Sequence, residues 1–233
     1  MKHKLFTILL LAYTSAASAQ APTGTFSVTP KVGVSLANLT DNELYIDVNE
    51  KLDSKFKAGF TAGAEVEYQA LPALSVSLGA FYTTQGCRYA NFSINEGGNP
   101  NTYTGIAAMR TNLGYVQFPL LVNYYIARGL AVKAGVQLAV LTNARTSHEE
   151  THYTADPDTG EKTYGETQDI KTDVKEMYRK TDVAIPLGLS YEYEHVVIDA
   201  RYNIGLTNID KLSDDLKVKN KAFTISVGYR LNL

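Results

Sequence analysis

The stretch His148-Glu149-Glu150-Thr151-His152 spells H-E-x-x-H. On a helix that spacing puts two imidazoles on one face to hold zinc, with the glutamate as general base. Here the flanks are threonine-rich and no apolar helix face surrounds the motif, so it reads as part of a solvated loop. Adventitious metal binding ranks ahead of peptidase chemistry. Asp156-Pro157-Asp158-Thr159-Gly160 begins like a calcium loop but lacks the remaining ligand spacing. It reads as a tight turn at the tip of an extended hairpin, with Tyr153 and Tyr164 flanking it. Asn95-Glu96-Gly97-Gly98-Asn99-Pro100 reads as a second tip. Cys87 is the single cysteine, so no intramolecular disulfide is possible. It reads as a tolerated thiol near a strand end, ahead of an intermolecular bridge or a reactive site.

Nine charged residues recur among small residues in otherwise apolar segments: Lys31, Glu65, Glu67, Lys133, Asp182, Glu192, Asp199, Arg201 and Arg230. Paired carboxylates could do acid–base work. No Ser-His-Asp order accompanies them, and no convergent set marks a rim. Unpaired charges in a tight interior are costly, so a salt-bridged filling is the expectation. Asp199 and Arg201, two apart, share one face of a strand. Lys133 and Glu192 lie on other strands that a narrow tilted barrel could bring close, with the register not fixed by sequence. No catalytic, cofactor-binding or metal-binding residue is assigned, and no cofactor is expected.

These residues sit in segments that alternate with period two. In 26–36, Phe26, Val28, Val32, Val34 and Leu36 oppose Ser27, Thr29, Lys31, Gly33 and Ser35. The same pattern recurs in 58–69, 74–85, 113–126, 130–141, 182–193, 196–207 and 223–233, with Phe81, Pro119 and Leu121 off pattern. Such alternation is a strand between two environments. Proline inside a strand marks Pro119 as a candidate bulge. Between segments the connections alternate. Residues 70–73, 127–129 and 194–195 are tight turns, whereas 37–57, 86–112, 142–180 and 208–221 are long and polar. Eight strands with short turns at one end and long loops at the other predict an all-β, closed, antiparallel up-and-down transmembrane barrel, with the short turns periplasmic.

The N-terminus fits export. Lys2 and Lys4 precede a short apolar run, and Ala17-Ser18-Ala19 gives a cleavage pattern. Residues 1–19 are therefore expected as a signal peptide, with cleavage between Ala19 and Gln20, and 20–233 as the barrel domain. Loss of Lys2 and Lys4 takes the formal charge from −2 to −4. That mild acidity argues against a nucleic-acid partner.

A soluble sandwich alternates too. The membrane reading rests on the charged inner face and on tyrosines 68, 124, 191, 193 and 229, which sit on the apolar face near the short turns as an interfacial girdle. The terminal amphipathic strand is what a barrel-assembly machinery would recognise. The chain also resembles the PorT-type outer-membrane β-barrel proteins common in Bacteroidota. The resemblance rests on Gly114-Tyr115-Val116-Gln117-Phe118-Pro119-Leu120-Leu121, Tyr124-Tyr125, Ala134-Gly135-Val136-Gln137-Leu138, the run 201–209 and Val227-Gly228-Tyr229-Arg230. The family commonly ends on an aromatic residue, whereas this chain ends on Leu233. The resemblance implies a barrel in the outer membrane of a Gram-negative bacterium. The expected role is a non-enzymatic scaffold that meets outer-membrane lipid and presents loops to an extracellular or envelope protein. A narrow pore or transporter is the alternative, and a membrane-embedded enzyme comes third.

Overall fold

The computed structural model describes residues 21–47, 50–97, 99–212 and 217–233, so the expected signal segment and its cleavage point lie outside the described residues. In chain order the strands are β1 (Phe26–Thr40), β2 (Glu43–Asp47), β3 (Glu50–Asp53), β4 (Lys55–Leu71), β5 (Leu74–Arg88), β6 (Phe92–Asn95) and β7 (Thr102–Ala127). Then follow β8 (Leu130–Ala155), β9 (Lys162–Asp173), β10 (Thr181–Tyr193), β11 (Val196–Gly205), β12 (Lys219–Tyr229) and β13 (Leu231–Asn232). One 3-10 turn, Lys175–Met177, separates β9 from β10.

Eight strands close a ring in the order β1–β4–β5–β7–β8–β10–β11–β12 and back to β1, every pair antiparallel. β13 finishes the seam, with Leu231 opposite Val28. A closed ring leaves no unpaired backbone to face lipid. The pleat then separates the two environments the sequence encodes. Val32, Val34 and Phe60 face outward and are half-exposed or more, while Ser27, Lys31, Ser35 and Glu65 are buried inside. The tyrosines of the girdle stand outward at the short-turn end, with Tyr124 and Tyr193 more than half exposed.

Pro119 and Pro186 are fully buried, pointing into the barrel. No bulge occurs at Pro119: the β5–β7 and β7–β8 registers run unshifted past it. An inward proline needs no extra residue when the neighbouring strand simply omits a ladder bond. The ring's register shifts fall toward its two ends, between Phe56 and Thr61 and between Gly114 and Tyr115 on the long-loop side, and between Gln69 and Leu71 and between Tyr125 and Ala127 beside the short turns.

The short turns are as tight as their residues allow. Gly129 takes φ 72°. A Cβ there would lie 2.2 Å from the carbonyl oxygen of Glu192, so the close approach needs glycine. Glu194 and His195 both adopt positive φ, 45° and 70°, the mirror-image turn that matches strand twist and usually takes Asn-Gly.

The long connections differ from the expected loops. β7 and β8 each run 26 residues, about 85 Å at the usual rise, whereas a tilted strand crosses a bilayer in about ten. Their far halves stand beyond the barrel, flanked by β6 on β7 and β9 on β8 as a four-stranded sheet. The tips do form turns. Asp156 Oδ1 accepts the backbone N–H of Asp158 and Thr159 at 2.9 and 2.8 Å. Those two N–H groups hold the Asp156 carboxyl below its ordinary range. The rings of Tyr103, Tyr153 and Tyr164 line up behind the tip at 5.2 and 5.3 Å.

Candidate functional site

From the short-turn end upward, the barrel interior is built in layers. In the first, Arg230 follows β12 and reaches across to Glu67 on β4, Nη2 to Oε2, at 3.0 Å. Glu67 also accepts the hydroxyls of Ser75 at 2.7 Å and Tyr125 at 2.5 Å. Glu192 lies 3.0 Å from Arg230 Nε. The second layer draws on β1, β4, β8 and β11. Lys31 Nζ lies 3.1 Å from Glu65 and 3.0 Å from Asp199, and Lys133 Nζ lies 2.7 and 3.0 Å from the same two carboxylates. Arg201 pairs with Glu65 and, through Nε, with Asp199 Oδ1 at 2.6 Å. Its guanidinium stands 5.6 Å from the ring of Phe81. Phe81, off pattern in the sequence, is buried inside, over Gly79 and Gly63, where a Cβ would strike its ring.

The cavity beside this layer, bordered by Thr61, Gln117, Gln137 and Asn203, offers about 20 Å³, room for about one water. Higher still, Asp182 accepts the Asn220 amide at 2.9 Å, and Asn220 also reaches Tyr115 at 3.2 Å. Asp182 thus stands apart from the other eight charges. Lys133 and Glu192 do not meet: register places Gly188 opposite Lys133.

The long-loop mouth is closed by an element the sequence reading did not foresee. Leu39, Leu113, Tyr115, Leu141, Val174, Ile209 and Val218 form a buried apolar plug, with Cys87 inside it. Asn42 donates to Cys87 Sγ at 3.4 Å, and burial leaves the thiol no face for a partner chain. Tyr178 packs against the plug, and burial pushes its phenol up to about 12. The signal was present as parity: inward positions turn apolar at the upper strand ends, at Ala37, Leu39, Leu113, Ala139 and Leu141.

The H-E-x-x-H stretch is neither helix nor loop but the far half of β8. Strand pleating puts His148, Glu150 and His152 on one face and Glu149, the base a zinc peptidase would need, on the other. Glu150 lies 3.6 Å from His148 and 3.5 Å from His152, and His152 Nδ1 meets Glu96 at 2.6 Å. Hydrogen bonds from Thr104 and His152 hold the Glu96 carboxyl below its ordinary range. Among the described residues no group of three His, Cys, Asp or Glu side chains is placed to hold a metal ion.

The interior therefore holds Glu65, Glu67, Glu192 and Asp199 paired with cations, Asp182 hydrogen-bonded to Asn220, and an apolar seal above. Such a set braces the wall from inside. Residues 17–211 match the model of the outer membrane protein beta-barrel domain. The chain belongs to this outer-membrane β-barrel family. Among solved structures the chain is similar to Ail, the attachment invasion locus protein of Yersinia pestis, at 15% identity and TM-score 0.40, covering 90% of this chain and all of that one. Neisserial surface protein A gives 15% identity, TM-score 0.37 and 88% and 96% coverage. The translocator domain of the autotransporter NalP from Neisseria meningitidis gives 12%, 0.28, and 99% and 96%. No curated protein matches the chain's sequence. For a family barrel, a crossing wall of eight strands and a filled interior account for the nine inward charges.

Proposed function

We propose that this protein is a non-conducting, non-enzymatic scaffold of the Gram-negative outer membrane whose working part is the protruding four-stranded sheet. The carrying observation is that sheet's form: β6 and β9 are its end strands, each paired on one side only among the described residues. An unpaired strand edge is a template for strand addition by an extended segment of another protein. β9 is exposed almost throughout and carries Lys162, Glu166, Asp169, Lys171 and Asp173, charges that discourage indiscriminate edge-to-edge pairing and favour a charge-matched partner. The partner class is an extracellular or envelope protein. Export through a cleaved signal and PorT-type kinship complete the reading.

Two measurements test it. In planar bilayers the wild type should pass no steady current, because charges fill the lumen and apolar side chains seal one mouth. Steady conductance would overturn the scaffold in favour of a pore. In intact cells a membrane-impermeant maleimide should label Lys162→Cys at the sheet and leave Arg128→Cys at a short turn unmodified. The reverse pattern would invert the orientation and remove the sheet from the cell surface.

A further inference from the structure

On the outer wall of the barrel, just beyond the apolar band, a groove of about 790 Å³ opens between β4, β5 and β7. Its lower lip is Phe60, whose ring lies 5.7 Å from Tyr82. Its upper rim is cationic: Lys57, Arg88 and Arg110 all line it. Register makes the crowding sharper, since Lys55 is directly opposite Arg88 and Arg88 directly opposite Arg110. Like charges in direct cross-strand register destabilise a sheet. None of Lys57, Arg88 and Arg110 forms an ion pair with a carboxylate among the described residues. Arg88 Nε donates to the Phe56 carbonyl at 2.9 Å, Arg110 Nε to Ser147 Oγ at 3.1 Å, and Lys57 Nζ to the Ala58 carbonyl at 3.4 Å. These neutral acceptors leave the positive charge uncompensated.

The level of the groove identifies what compensates it. On β12 Lys221 follows Phe223 on the outward face, with its Nζ 5.6 Å from the Phe56 ring, and on β5 and β7 the Arg88–Arg110 pair keeps the outward parity of the Tyr82–Val116 pair. Cations stand where hydrocarbon gives way to headgroups. We propose that this groove binds a phosphate-bearing lipid of the outer leaflet, its phosphate held by Lys57, Arg88 and Arg110 and its acyl chains descending over Phe60 and Tyr82. Arginine supplies the fork that matches phosphate oxygens, and lysine adds a point charge. The apolar lip selects an amphiphile over a free anion.

The test uses the folded full-length barrel in a neutral maltoside detergent, titrated with phosphatidic acid and followed by native mass spectrometry and thermal melting. Wild type should retain phosphatidic acid over phosphatidylcholine. Lys57→Ser with Arg110→Ser should weaken retention at least about tenfold, as the loss of two surface cations predicts, while Arg128→Ser at the opposite end should leave it unchanged. In lipid-free detergent the double variant should melt no lower than wild type, because it relieves the like-charge row. With phosphatidic acid added, only wild type should gain. Equal retention by wild type and double variant would overturn the proposal. So would displacement of the lipid by an equal concentration of inorganic phosphate, which would assign the site to the free anion. A double variant that melts lower before any lipid is added would assign the cations a purely structural role and overturn it too.

Discussion

Lys133 on β8 and Glu65 on β4 are not neighbours in the ring, yet Nζ and Oε1 meet at 2.7 Å across the lumen. The layer they share holds three cations, Lys31, Lys133 and Arg201, against two carboxylates, Glu65 and Asp199. Removal of an acid and removal of a base are therefore unequal. Glu65→Gln strands three buried cations on one carboxylate and should cost about 3–5 kcal/mol. Lys31→Met leaves two of each sign and should cost much less. Urea unfolding in detergent checks the order; equal costs would show that the layer does not act as one charge-coupled unit.

The two faces of the wall should answer differently to substitution. Ala64 faces lipid on β4, and Ala64→Arg should cost about 2–4 kcal/mol at mid-membrane depth. Ser35 faces inward with a buried hydroxyl that has no hydrogen-bond partner among the described residues. Ser35→Ala removes an unsatisfied group and should be neutral or slightly stabilising. Reversal of this order in folding assays would exchange the faces.

Acid should loosen the protruding sheet before the barrel. Glu96 ties the β6–β7 tip to Thr104 and to His152 of β8. Its folded pKa lies below the ordinary value, so its contribution is complete above about pH 4.3 and fades as pH falls through the folded pKa. Amide exchange in β6 should quicken below that point, and Glu96→Gln should abolish the pH dependence. Unchanged exchange in wild type down to strong acid would remove the tie.

The Glu194-His195 turn holds two non-glycine residues at positive φ. Glu194→Asn should stabilise the β10–β11 hairpin by a few tenths of a kcal/mol to about 1 kcal/mol, since asparagine tolerates that region better. A thermal melt that falls would mean Glu194 serves some contact beyond the turn.

The barrel was legible in the sequence because lipid and lumen impose opposite polarity on alternate residues. Tight turns were legible for the same reason, as interruptions of that rhythm at Pro72, Gly129 and Glu194. The far halves of β7 and β8 were not. There both faces meet water, as at Thr102, Thr104, Thr146 and Glu149, so no rhythm distinguishes strand from loop and register is weakly written. The pairing of inward charges was only partly legible. Which residues share the lumen follows from parity, but Lys133 meets Glu65 and not Glu192 because strand stagger sets their heights, and one strand read alone does not contain it.

The two longest strands run unbroken from the short turn at Arg128-Gly129 to the tip of the sheet, joined to each other along nearly their whole length. Their mutual hydrogen bonds lie crosswise to the strand direction. A tug on the tip along the strand direction therefore loads those bonds in shear, many at once, and the load reaches β5 and β10 through the ring. Tension at the tip would be carried by the hoop of the barrel as a taut line is carried by its anchor post. Peeling β9 sideways, by contrast, would part its bonds one after another, so the same assembly should yield easily in one direction and hold in the other.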